Sequence, residues 1–159
     1  MHDLLAFPDT SRVWIYQANR SLPADEIGTV NRKVIDFARL WTSHNLSLKA
    51  TGALLHDQFL VLVADESNAG ASGCSIDSSV RFVKEIGESY SVDFFDRLYF
   101  TYLEDETVKR VHRDEIAEAY RDGKISDKTL FFDNLVTNKR EFLARWLTPF
   151  GDSWMKRFA

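Results

Sequence analysis

The run FLVLV over 59–63 constrains this chain more than any other segment. Five consecutive apolar residues, β-branched and aromatic types among them and turn signals on either side, read as a buried strand. The residues just after the run narrow the reading further. Residues 65–79, DESNAGASGCSIDSS, hold the only cysteine and two of the seven glycines, and they lead into a helix-like run over 76–90. A small-residue turn from a buried strand into a helix N-terminus is a common place to hold a ligand or a reactive group. The turn is therefore the expected site.

The rest of the chain alternates around this unit. RVWIYQAN over 12–19 sets Val13 and Ile15 against Trp14 and Tyr16 and reads as a strand with aromatics on one face. Pro23, Asp25 and Glu26 suit the first turn of a helix. Its apolar positions Ile27, Val30, Val34, Phe37, Trp41 and His44 recur at spacings of three and four, a face about six turns long. Segments 48–55 and 58–64 are strands joined as a hairpin at His56-Asp57. The helix after the serine-rich turn carries Ile76, Val80, Val83, Gly87 and Tyr90 on one face, and RLYFTYL over 97–103 is a fourth strand.

The order β-α-β-β-α-β over about 12–103 predicts an α+β fold. The expected form is a ferredoxin-like sandwich, one antiparallel four-stranded sheet with two helices on one face; a different strand order is the alternative. If helices cover one face, Trp14 and Tyr16 line the other. Trp146 and Trp154, or a second copy of the chain in a homodimer, must then cover it. Residues 104–159 read as a mostly helical extension. It holds a short helix over 114–121 stopped at Asp122-Gly123, a strand or packing segment over 129–136, a helix over 138–146 broken by Pro149 and Gly151, and a terminal tail.

A chain of 159 residues is the size of one domain burying roughly 70% of its unfolded surface. Twelve phenylalanines predict a core packed largely by rings. A net charge of −4 argues against nucleic acid as the main partner. The basic residues Lys139, Arg140, Arg145, Lys156 and Arg157 look like a solvated tail. One cysteine forms no internal disulfide, the first residues lack a secretory pattern, and no apolar run approaches the ~20 residues that cross a bilayer. A cytoplasmic protein without a membrane partner is expected.

Cys74 is the candidate nucleophile. At a helix N-terminus the unpaired N–H groups favour a thiolate, while Asp65, Glu66 and Asp77 oppose it. His44, His56, His112 and His2 are the available bases, none linked to Cys74 by local spacing. Gly70, Ser72, Gly73, Cys74 and Ser75 offer backbone N–H groups to an anion, but the pattern G-x-x-x-x-G-K-[ST] is nowhere present. Asp65, Glu66 and Asp77 offer oxygens to a cation without any metal-loop spacing. Their simpler roles are to cap and to fix the turn, as Ser75 and Ser78 also would. Arg97, after Asp93 and Asp96, is expected in a local ion pair. No cofactor and no metal are expected.

VWIYQANR over 13–20, DESNAGASGCSIDSSVRFVK over 65–84, FDRL over 95–98 and SWMKRF over 153–158 together resemble a family of short proteins from the Bacteroidetes, some labelled "ABC transporter ATPase". The resemblance spans nearly the whole chain and is most specific over SGCSIDSSV. It implies a bacterial protein that is one intact domain, and it carries over no functional residue. The residues themselves lack a Walker A loop.

The expected function is a non-enzymatic, cytosolic α+β domain that binds a small molecule or a protein partner. Its expected site is the turn, through Asp65, Glu66, Ser72, Gly73, Ser75, Asp77 and Ser78. The alternative is a cysteine-dependent enzyme, a hydrolase or thiol-redox protein, with Cys74 as nucleophile.

Overall fold

A computed structural model describes residue 1 and residues 3–159, so His2 lies outside the described residues. The chain runs through β1 (Arg12–Gln17), α1 (Ala24–Leu40), β2 (Thr42–Ser43), β3 (Leu46–Ser47), β4 (Lys49–Leu55), β5 (Phe59–Asp65) and α2 (Gly73–Tyr90). It continues through β6 (Tyr99–Glu104), β7 (Thr107–His112), α3 (Ile116–Arg121), β8 (Leu130–Phe132), α4 (Lys139–Arg145) and β9 (Leu147–Pro149). Helices and antiparallel sheets are mixed, an α+β fold. No helix among the described residues is long and apolar enough to cross a membrane.

β5 is the organising strand. It lies between β1 and β4 in an antiparallel sheet of order β1-β5-β4, and its residues from Phe59 to Ala64 are all buried. Its unbroken apolar sequence follows from having both faces covered. Leu60, Leu62 and Ala64 pack against Val30 and Val34 of α1 and Val83 and Ile86 of α2. Phe59, Val61 and Val63 pack against Phe132, Val136, Phe142 and Trp146 of the C-terminal third. At roughly 2 kcal/mol for each large apolar side chain removed from water, this one strand anchors three layers.

Four expectations need correcting. The fourth strand does not join the first sheet: β6 pairs with β7 and β8 in a second sheet of order β7-β6-β8-β9. β7 lies only a two-residue turn away, whereas β1 is distant in sequence, so the local pairing costs less loop entropy. The extension is not mostly helical, since three of that sheet's strands belong to it. Trp14 and Tyr16 lie under the helices, and Val13 and Ile15 face the C-terminal third. Trp146 covers that second face, whereas Trp154 packs on Phe100 and Phe158 by the second sheet. Finally, α1 stops at Leu40; Trp41 stays buried in extended backbone, and His44 stands in the β2–β3 turn.

Among the described residues, three hairpin turns hold two successive residues in the left-handed region: His44-Asn45, His56-Asp57 and Asp105-Glu106. That conformation matches the right-handed twist of flanking strands. Here it is adopted without glycine, which is why β7 has so faint a turn signal before it.

Candidate functional site

The serine-rich turn closes on itself. Asp65 Oδ1 accepts from Ser67 N at 2.9 Å and from its hydroxyl, which holds the Asp65 carboxyl below its ordinary range. Glu66 Oε1 accepts from Ala71 N at 3.2 Å and lies 3.8 Å from Arg12. Ser72 is the N-cap of α2, accepting from Ser75 N at 3.1 Å, while the Ser75 hydroxyl returns to the Ser72 carbonyl at 2.8 Å. The Ser78 hydroxyl donates to the Ser75 carbonyl.

The helix starts at Gly73, earlier than expected, so Asp77 falls outside its first turn. Cys74 is the second helical residue and is exposed. Among the described residues it hydrogen-bonds to no histidine: His44 is exposed in its turn, His56 packs on Phe132 and Trp146, and His112 Nδ1 accepts from Asp114 N. No residue of 65–79 has a positive φ, so the backbone forms no concave anion cradle there. No group of three or more possible metal ligands occurs among the described residues.

The small residues have a packing reason instead. Ser75 and Ser79 occupy the buried face of α2, where Ile76 and Val80 were expected to lie. The Trp41 indole N–H donates to the Ser75 carbonyl at 2.8 Å, and the Tyr16 hydroxyl lies 3.5 Å from Ser79 Oγ. Burial pushes the Tyr16 pKa up. Trp14 and Trp41 meet edge to face, 5.1 Å between ring centres. Small side chains let the helix approach this aromatic platform.

A concavity lies along the free edge of β1. Its volume is about 660 Å³, and Ile15, Gln17, Phe95, Phe100, Leu135 and Trp154 are among the residues that line it. None of the residues expected at the turn contributes to its walls. Two hydrogen bonds pin the ends of this edge: Val13 N–H to the Thr137 carbonyl at 2.9 Å, and Asn19 N–H to the Asp93 carbonyl at 2.8 Å. No protein-family model, no curated protein and no solved structure matches this chain.

A polar network forms the floor of the cleft. The Gln17 carboxamide, buried, accepts from the Thr101 hydroxyl and from Asn134 Nδ2, both at 2.9 Å, and donates to the Tyr99 carbonyl at 3.1 Å. Asn134 Oδ1 accepts from the Trp146 indole at 3.0 Å. In the wall, Asp96 Oδ1 accepts from Leu98 N, whereas Oδ2 is buried and has no hydrogen-bond partner among the described residues. The ion pair expected of Arg97 with Asp93 or Asp96 does not form; Asp93 accepts from Phe95 N instead. Arg20 caps the end of α2 through the Tyr90 carbonyl at 2.7 Å.

The cleft lies away from the turn at 65–79, where the site is expected from the sequence. On the cleft rim Leu135 is 65% exposed within an otherwise mostly buried segment, an exposure that its apolar neighbours in the sequence do not reveal.

Proposed function

We propose that this chain is a cytoplasmic, non-enzymatic binding domain whose ligand, a small molecule or a segment of a protein partner, occupies the cleft beside β1. One observation carries the reading: a volume of about 660 Å³ with largely aromatic and aliphatic walls converges on a few fixed polar groups. That is the usual composition of a ligand site. The turn at 65–79 is the weaker candidate, because Asp65, Glu66, Ser72, Ser75 and Ser78 spend their polar atoms on the turn itself.

A ferredoxin-like plan for the first half belongs to the same reading. It is supported by the strand order β1-β5-β4 and by two helices on one face. On that plan the cleft is the position of a fourth strand beside β1. The overall negative charge supports partners other than nucleic acid.

Titrating the isotope-labelled chain with apolar aromatic fragments tests the proposal. Amide shifts clustered at Ile15, Gln17, Phe95, Leu135 and Trp154 support it. Shifts clustered over 65–79 return the site to the turn, and no clustered shifts at millimolar fragment remove the binding reading.

A thiol-dependent reading keeps one observation in its favour, the exposure of Cys74 at the amino end of α2. Alkylation of the folded protein by iodoacetamide much faster than that of glutathione favours it. A rate no faster than glutathione removes it.

A further inference from the structure

Resting on the reading of the cleft as the binding site, we infer that its ligand is a short extended peptide segment bearing a basic side chain, added as a strand to the free edge of β1. Hydrogen bonding along an antiparallel strand alternates from one side to the other. Ala18 N–H donates inward, to the Gln58 carbonyl of the β4–β5 turn, and Val13 N–H donates outward, to Thr137. The alternation then directs the N–H and C=O groups of Ile15 and Gln17 outward, into the cleft. Among the described residues no backbone or side-chain group bonds to them there.

The open stretch is closed at both ends, at Val13 by Thr137 and at Asn19 by Asp93. The distance between these points along β1 is about 20 Å at ~3.4 Å per residue, room for some four or five residues of an added strand. The antiparallel bridge of Arg12 with Asn138 already begins such a pairing, which the chain then abandons. An open row of edge N–H and C=O groups is a template for pairing, and a peptide backbone is the ligand that matches their alternation of donors and acceptors.

Charge complementarity selects the side chain. Asp96 Oδ2 is buried in the cleft wall without a donor among the described residues. Arg97 is exposed and makes no ion pair among them, and the Arg110 guanidinium, near enough for its charge to be felt by Asp96, gives its hydrogen bonds to the Ala18 carbonyl and Gln58 Oε1 and not to Asp96. An ammonium or guanidinium from the ligand supplies what Asp96 lacks. Leu135, on the rim, gives an apolar neighbour on the peptide a place to pack.

The probe is a pool of acetylated, amidated pentapeptides with lysine at each position in turn among valine and leucine, titrated at up to millimolar concentration into the labelled chain. We expect the Ile15 and Gln17 amides to exchange freely in the unliganded protein and to become protected on binding. Methylating alternate peptide nitrogens should weaken binding at least tenfold, as should replacing lysine by glutamate or Asp96→Asn. Protection of both amides before any peptide is added overturns the inference. So does equal affinity of the methylated and unmethylated pools. If apolar fragments occupy the cleft and no peptide does, the strand-pairing inference fails while the binding reading stands. If neither binds, both fail.

Discussion

The indole N–H of Trp41, just past the end of α1, donates to the main-chain carbonyl of Ser75 in the first turn of α2, 2.8 Å away and out of contact with water. The two helices are thus joined across the face of the first sheet by one directional bond, with Ser75 and Ser79 small enough to permit it. Trp41→Phe should cost about 1–2 kcal/mol, the net worth of a buried hydrogen bond with some lost packing. Ser79→Leu should cost about 1–3 kcal/mol by overfilling the contact with Tyr16. Cys74→Ser, on the exposed side, should stay within about 0.5 kcal/mol. Urea midpoints of the three variants check the order.

Two glycines should respond with opposite sign. A Cβ at Gly52 would come within 2.9 Å of Leu62, of Val34 and of the Val61 carbonyl, so Gly52→Ala should cost about 1–3 kcal/mol. Gly28 lies in α1 with nothing within 4 Å of a Cβ, so Gly28→Ala should gain about 0.5–1 kcal/mol from helix propensity. Thermal melts of both variants suffice.

Gln17→Leu should be among the most damaging single polar substitutions. It removes the acceptor for both Thr101, fully buried, and Asn134, and it uncouples the first sheet from the second. Each buried group left without a partner costs about 1–3 kcal/mol. A loss of at least about 2 kcal/mol is expected by chemical denaturation, with apolar dye binding rising as the sheets separate.

The His56 ring sits edge-on to Phe132, 5.2 Å between ring centres, and 5.7 Å from Trp146. Burial lowers its pKa, against a smaller upward pull from Asp57. The unfolded chain therefore binds a proton at a pH where the folded one does not. This contribution is fully present above the unfolded value of about 6.5, and it is lost as pH falls through that value toward the lower folded one. The melting temperature should drop between pH 7.5 and 5.5, and His56→Phe should flatten that slope. An unchanged slope in the variant would assign the pH dependence to other groups.

The buried strand at 59–63 was legible because two covered faces leave no alternation to hide it, and the helix stop at Gly123 because its φ of 74° suits glycine. β7 was not. TVKRVH alternates, but its cations and a preceding Asp105-Glu106 turn without glycine mask a hairpin. The start of α2 was misjudged because serine is equally at home as a cap, at Ser72, and on a crowded helix face, at Ser75. The cleft was the hardest feature to read. Val13 and Ile15 have the same residues to offer whether β1 is paired on one side or two, so an open edge is a property of which strands meet, not of any single strand.

The buried Lys139 ammonium donates to the Phe7 carbonyl, joining residues 132 positions apart, and α4 lies on the same side of the sheet as Val61 and Val63. Phe59, Val61 and Val63 therefore lack part of their cover until the polypeptide has grown past Trp146. A ribosome adding residues one by one presents a finished helical face and a partly covered apolar one for most of that time. The last quarter of the chain acts as the lid of its own core, and the interval before it closes is when two nascent copies are most exposed to each other.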